Sequence, residues 1–70
     1  MGLCYKHPKF IDVAFVLEAE PKDLENNYVL LKVFWWRITG EKPYPIGPED
    51  LKIKVDKWNE FVAINVKGVY

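Results

Sequence analysis

The sequence predicts a single all-β domain: a small, strongly bent antiparallel barrel or sheet of four or five strands, with one helical turn before the last strand. Three observations carry this prediction. The chain has 70 residues, half of them hydrophobic, and eleven residues are Phe, Trp or Tyr. The apolar residues fall in short runs rich in β-branched and aromatic side chains, which are typical of strands. Proline, glycine and asparagine separate these runs, as they do in turns.

The length bounds the organisation. A chain of 70 residues forms one domain, 1–70, near the lower size limit for independent folding. Large aromatic side chains bury much area each, so they can build a small core. We expect residues 1–8 to be a flexible N-terminal segment, in which Pro8 favours an extended conformation for His7.

Composition limits location and partners. Cys4 is the single cysteine, so no internal disulfide can form. No apolar run reaches the ~18 residues of a membrane helix, and the N-terminus lacks a signal-peptide core. These features predict a cytoplasmic protein without a membrane partner.

The first long strand is expected over residues 10–20. Its apolar face alternates through Ile11, Val13, Phe15, Leu17 and Ala19. A helix over the same residues is an alternative, but the Ile, Val and Phe content favours a strand. Residues 21–27 then form a connection, in which Asn26 and Asn27 tolerate left-handed backbone angles.

The central strand covers residues 28–39 and is apolar on both faces. One alternating set contains Val29, Leu31, Val33 and Trp35, and the other contains Tyr28, Leu30, Phe34, Trp36 and Ile38. Either the strand bends through a small barrel and buries parts of both faces, or one face is open for a partner. The barrel is the favoured interpretation.

The segment after Gly40 is predicted to be a stiff loop over residues 40–50, because it holds three of the five prolines. Residues 51–55 alternate strictly and predict a half-buried strand. A helix from about Glu49 to Phe61 is the rival interpretation, and it would make the fold α+β. Residues 56–61 can form one helical turn, and residues 62–66 a last strand.

Residues for catalysis or metal binding are scarce. The chain has no serine, and its only cysteine and histidine, Cys4 and His7, fall short of a nucleophile with an oriented base. They also fall short of the four ligands of a structural zinc site. The sequence therefore predicts a protein that is not an enzyme and that has no cofactor and no metal.

The aromatic residues are the positive signal for binding. Adjacent Trp35 and Trp36 cannot both point inwards on a regular strand, and exposed Trp and Tyr are typical interface anchors. The candidate binding residues are Tyr28, Lys32, Phe34, Trp36, Arg37 and Tyr44. Arg37 falls on the other face of the strand, next to Trp35. We expect a non-catalytic interaction module of the adaptor or inhibitor type, docking through this strand face and the proline-rich loop on another protein or on its own copy, as a homodimer.

Nucleic acid is the less expected partner. Ten Lys and Arg balance ten Asp and Glu, whereas nucleic-acid binding usually needs a basic excess. A local basic stretch does occur near the C-terminus, at Lys52, Lys54, Lys57 and Lys67. The alternative function is therefore a small barrel that binds single-stranded nucleic acid with its aromatic residues and a lysine face.

One stretch resembles a known family. Trp35-Trp36-Arg37, followed by a glycine, a turn and Pro45-Ile46-Gly47-Pro48, is similar to the Trp-Trp strand and proline-containing ligand face of Src-homology-type (SH3-like) peptide-binding barrels. The resemblance covers about fifteen positions and implies a small barrel.

Overall fold

The computed structural model describes residues 2–69, which form one six-stranded antiparallel sheet. The strands are β1 (Gly2–Lys6), β2 (Val13–Leu17), β3 (Lys22–Leu24), β4 (Tyr28–Arg37), β5 (Tyr44–Lys54) and β6 (Val62–Val66). A 3-10 turn, Glu25–Asn27, precedes β4, and a four-residue helix, α1 (Val55–Trp58), precedes β6. The predicted all-β fold with a helical turn before the last strand is confirmed.

Strand β4 is the centre of the sheet. Along one side it pairs with β5 from Tyr28 to Arg37, and along the other it pairs with β3 and then β2. Strand β1 lies beside β2, and β6 beside β1. Within residues 2–69 no pairing joins β5 to β6, and the sheet curls into a half-barrel in which β3, β5 and β6 each pair on one side only.

The sheet buries side chains on both faces. The face that α1 covers, here called the helix face, buries Phe15, Val29, Leu31 and Val33 against Trp58 and Phe61. The opposite face, here called the tail face, buries Cys4, Ala14, Trp36 and Val69. The prediction that β4 buries parts of both its faces is therefore correct.

The N-terminal segment differs from the sequence expectation. Instead of a flexible start over 1–8, residues 2–6 form β1, inserted between β2 and β6, and Cys4 is fully buried. The three apolar residues Leu3, Cys4 and Tyr5 are too few to predict a strand from the local sequence. The strands that pair with β1 come from other parts of the chain. Residue 1 lies outside the described residues.

The first long strand and its connection are also partly corrected. The strand expected over 10–20 is limited to β2, Val13–Leu17, and the connection contains the short strand β3. Asn26 and Asn27 both adopt positive φ angles of 63°, as the sequence predicts. This left-handed pair reverses the chain between β3 and β4, which pair directly.

The loop predicted over 40–50 is limited to residues 40–43, and the rest of the proline-rich segment is a strand. Strand β5 begins at Tyr44 and continues through Pro45 and Pro48 to Lys54, so the alternative helix near 49–61 is wrong except for α1. Proline lacks an N–H donor, but an edge strand tolerates it where that N–H would face solvent. The register shifts between Trp35 and Trp36, which leaves Ile46 as an extra residue in a β-bulge.

Candidate protein-binding groove

The structure separates the six candidate binding residues. By the alternation of β4, Tyr28, Lys32, Phe34 and Trp36 lie on the tail face. Arg37 pairs with Tyr44 in the register, so these two lie together on the helix face. The predicted residues therefore do not form one contiguous surface.

Trp36 does not serve as an exposed anchor. Its side chain is only 6% exposed and packs in the tail-face cluster, with its ring centre 6.0 Å from that of Phe34. The open question of whether Trp36 is exposed or buried is thus answered in favour of the core. Trp36 is buried because the chain after β6 turns back over the tail face, where Val69 packs in the same cluster and is itself buried.

A concave apolar surface lies on the helix face instead. It encloses a cavity of about 410 Å³ between the turn after β1, strands β4 and β5, and the end of α1. We call it the groove. Its lining residues are His7, Lys9, Phe10, Trp35, Leu51, Ile53, Lys57 and Phe61.

Trp35 forms one wall of the groove in a fixed orientation. Its ring packs edge-on against Phe15, with ring centres 5.2 Å apart. Its indole Nε1–H donates a 2.7 Å hydrogen bond to Oε1 of Glu49. Gly47 lies opposite Trp35 in the register, and a Cβ there would meet nothing within 4 Å, so open space remains beside the indole. Its φ of +149° also disfavours other residues at this position.

The turn after β1 presents apolar side chains at the rim. Phe10 is 54% exposed and Ile11 is 71% exposed. The Phe10 N–H donates to the His7 carbonyl at 3.0 Å, and Nζ of Lys6 donates to the Phe10 carbonyl at 2.6 Å. These bonds hold the turn in one shape, so the exposed residues occupy defined positions.

His7 connects this turn to the end of α1. The side chain is only 3% exposed, and its Nδ1 accepts a hydrogen bond from the Lys9 N–H at 3.1 Å. Nδ1 therefore carries no proton, and Nε2–H donates to Oε1 of Glu60 at 2.9 Å. The ring also packs edge-on against Phe61. Both ring nitrogens are thus used to shape the groove, and His7 is assigned a structural role.

The bond from His7 makes the fold sensitive to acid. It lowers the pKa of the Glu60 carboxyl below its usual range, and the Lys57 ammonium, whose Nζ lies 3.7 Å away, acts in the same direction. A carboxyl whose pKa is lowered by folding stabilises the folded state when it is ionised. This stabilisation is complete above the usual glutamate pKa and is lost as the pH falls through the lowered value.

We therefore expect Glu60→Gln to flatten the fall in melting temperature on the acid side of the usual glutamate pKa. The measurement is thermal unfolding followed by circular dichroism over a series of acid to neutral pH values. The matched control is Glu41→Gln, a change at an exposed glutamate away from α1, which should keep the wild-type slope. Equal acid slopes for Glu60→Gln and the wild type would contradict the assignment.

The cysteine and the histidine of the chain lie apart from each other in the structure. Burial raises the pKa of the Cys4 thiol, and that side chain packs on the tail face, whereas His7 lies at the groove. Within residues 2–69, no three His, Cys, Asp or Glu side chains are grouped to hold a metal ion.

None of the eight residues that line the groove was among the candidate binding residues predicted from the sequence. The one sequence signal for the groove was the pair of adjacent apolar residues Phe10 and Ile11 shortly after Pro8. The predicted strand over residues 10–20 included both of them. The contact between His7 and Glu60 joins residues 53 positions apart, and nothing in the local sequence indicates it.

The chain matches no protein family, no curated protein and no solved structure. Among residues 2–69, no helix has the length and apolar character needed to cross a membrane.

Proposed function

We propose that this protein is a non-catalytic interaction module, of the adaptor or inhibitor type, that docks on another protein through the groove. The observation that carries this proposal is the apolar cavity of about 410 Å³, which exposed Phe10 lines and next to which exposed Ile11 follows in the chain. Concave apolar surfaces with a few polar groups are the usual form of binding sites. Contiguous exposed apolar residues are also uncommon on surfaces that bind nothing.

The lining of the groove indicates the chemistry of the partner. Trp35, Leu51, Ile53 and Phe61 offer apolar contacts to one large side chain, such as an aromatic or leucine residue. Lys9 and Lys57 supply cationic groups at the same cavity. The fitting ligand is therefore a peptide segment with an apolar anchor next to an acidic residue.

Two of the residues predicted from the sequence belong to this proposal. Arg37 and Tyr44 lie on the helix face two positions along β4 from Trp35, and Tyr44 is 54% exposed. They would contact the partner beside its anchor and fix its direction. The resemblance of this strand to SH3-like peptide-binding barrels supports the same type of ligand. A cytoplasmic location is part of the proposal, because the single cysteine provides no disulfide.

A second candidate function has one observation in its favour. The register of β3, β4 and β5 gathers lysines near Tyr28 on the tail face, and Nζ of Lys52 lies 5.2 Å from the Tyr28 ring centre. These lysines are Lys22, Lys32, Lys52 and Lys54. Such a face could bind single-stranded nucleic acid by stacking and charge. Asp50, opposite Lys32, reduces its positive charge.

The test of the groove is a selection from a random peptide library displayed on phage, followed by titration of the isotope-labelled protein with a selected peptide. We expect selected peptides to share a large apolar residue beside an acidic one. Their binding should shift the amide signals of Phe10, Trp35 and Leu51. Phe10→Ala should weaken binding at least tenfold, because it removes one rim contact from a small site.

The matched control is Phe34→Ala, which removes an aromatic ring from the tail face and should leave peptide binding within about twofold. The same labelled protein is titrated with a single-stranded oligonucleotide at low and high salt. Selected peptides that bind elsewhere, or that bind Phe10→Ala as well as the wild type, would overturn the groove proposal. Salt-sensitive oligonucleotide binding at Tyr28 and Lys52, with no peptide selected, would favour the second function.

A further inference from the structure

The two longer edge strands of the sheet, β5 and β6, differ in their protection against pairing with another strand, and the third edge strand, β3, has only three residues, two of them charged. Along β5, the edge carries Pro45 and Pro48 together with four charged residues, Glu49, Asp50, Lys52 and Lys54. Prolines and lysines on an edge strand oppose the addition of another strand. The other edge, β6, contains Val62, Ala63, Ile64, Asn65 and Val66, with neither a proline nor a charge. Of these two edges, β6 is the one open to pairing, up to Val66, whose carbonyl accepts a 3.3 Å hydrogen bond from the Val69 N–H.

The chain leaves the outer side of β6 uncovered. Within residues 2–69, β6 pairs with β1 alone, from Gly2 opposite Val66 to Lys6 opposite Val62. Beyond β6 the chain turns back over the sheet, and Val69 is buried in the tail-face cluster. Val62 at the start of the strand is 52% exposed. An incoming strand would therefore meet an accessible backbone and an exposed apolar side chain.

The side-chain pattern of β6 is symmetric about its middle residue. Ile64 lies opposite Cys4 in the register and so belongs to the tail face, as do Val62 and Val66 by alternation. Ala63 and Asn65 lie on the helix face. Read in either direction, the strand presents three β-branched residues on one face and two small residues on the other.

We propose that β6 pairs antiparallel with β6 of a second copy of this chain, about a two-fold axis at Ile64. Val62 then lies opposite Val66 of the second copy, Ala63 opposite Asn65, and Ile64 opposite Ile64. The pairing joins two half-barrels into one continuous sheet. It extends the apolar row on the tail face across both chains, which is the kind of cross-strand contact that stabilises sheets.

This partner fits better than the other free strand. Pairing of β6 with β5 of another copy would place its backbone against Pro45 and Pro48 and could continue from copy to copy as an open fibre. The two-fold pairing of β6 with itself is closed and leaves only the protected β5 edges and the short, charged β3 edges outside. It involves no charged residue in 62–66, so the two copies do not repel each other there. The surface is separate from the groove, and the inference does not depend on the proposed function.

A five-residue strand pair is small compared with the ~1,600 Å² of a standard interface, so we expect a reversible dimer that dissociates on dilution. The test is sedimentation equilibrium of the wild type over concentrations from about 10 μM to about 1 mM. A monomer–dimer equilibrium is expected. Val62→Lys, which adds an edge charge at a half-exposed position, should weaken dimerisation at least tenfold.

The matched control is Ile46→Lys on the other edge, at a residue 54% exposed against 52% for Val62. It should leave the dimer dissociation constant within about twofold of the wild type. A second measurement needs no variant: isotope-filtered nuclear Overhauser spectra of mixed labelled and unlabelled protein should show contacts between the Ile64 methyl groups of one copy and β6 of the other. A wild type that stays monomeric, assemblies larger than a dimer, unchanged dimerisation of Val62→Lys, or intermolecular contacts away from β6 would each overturn the proposal.

Discussion

Replacing Phe15 with alanine is expected to lower the free energy of unfolding by about 3–5 kcal/mol. Phe15 is fully buried at the centre of the helix face, and its ring contacts those of Trp35 and Phe61 with centres 5.2 and 5.4 Å apart. The change removes the shared partner of these rings and leaves a cavity. A domain of this size has a total stability of roughly 4–10 kcal/mol, so the change removes a large share of it.

The measurement is urea unfolding followed by circular dichroism, with Phe15→Leu as the conservative variant. Leucine keeps most of the apolar volume and should cost clearly less than alanine. Phe10→Ala serves as the control for a phenylalanine of the same face that is 54% exposed, and it should cost less than ~1 kcal/mol. If Phe15→Ala and Phe10→Ala lowered the free energy of unfolding equally, the helix face would not contain the core described above.

Trp36→Ala is expected to destabilise the fold by a similar amount, about 3–5 kcal/mol, through the other face of the sheet. Trp36 is the largest buried side chain of the tail face, where it packs with Cys4, Ala14 and Val69. A surface tryptophan would cost little on truncation. The size of this loss therefore distinguishes a core residue from an anchor for a partner.

The same urea experiment measures this loss, and Trp36→Phe should retain a larger share of the stability because it keeps an aromatic ring. Trp36 and Phe15 lie on opposite faces of the sheet. When either substitution is combined with one at a distant exposed residue, the two losses of unfolding free energy should add. A folded Trp36→Ala protein with wild-type stability would show that the tail face is not a core. It would also restore Trp36 as a candidate binding residue.

The all-β class and the two-sided burial of β4 were predictable because both depend on local pattern. The alternation in residues 28–38 places apolar side chains on two faces, and a small curled sheet is the simplest structure that buries parts of both. The turn at Asn26 and Asn27 was predictable for the same reason, since it depends on the conformational preferences of two adjacent residues.

The errors arose where the outcome depends on a neighbouring strand. Pro45 and Pro48 end a strand in most contexts, and they are accepted in β5 only because it is an edge. Strand β1 is too short to be distinctive and is held by two partners, one of them at the far end of the chain. Trp36 became a core residue because Val69 covers it, and no local pattern links positions 33 residues apart.

The groove was not predicted from the sequence. Only the position of Trp35 on the same strand face as Arg37 could be read from the alternation of β4, and Trp35 was not among the candidate binding residues. The opposite wall is formed by the turn that bears Phe10. The hydrogen bond between His7 and Glu60 holds this turn against the end of α1. That wall depends on tertiary contact between the two ends of the chain.

The burial of β4 on both faces also has a kinetic consequence. Its two side-chain sets contribute to both the helix-face and the tail-face clusters, and its backbone pairs with three other strands. Displacing β4 would therefore disrupt both clusters and most of the ladder in one event. Partial openings that spare β4, such as fraying of β3 or of the turn after β1, cost far less. Its central amide protons should accordingly exchange with solvent only when the whole domain unfolds.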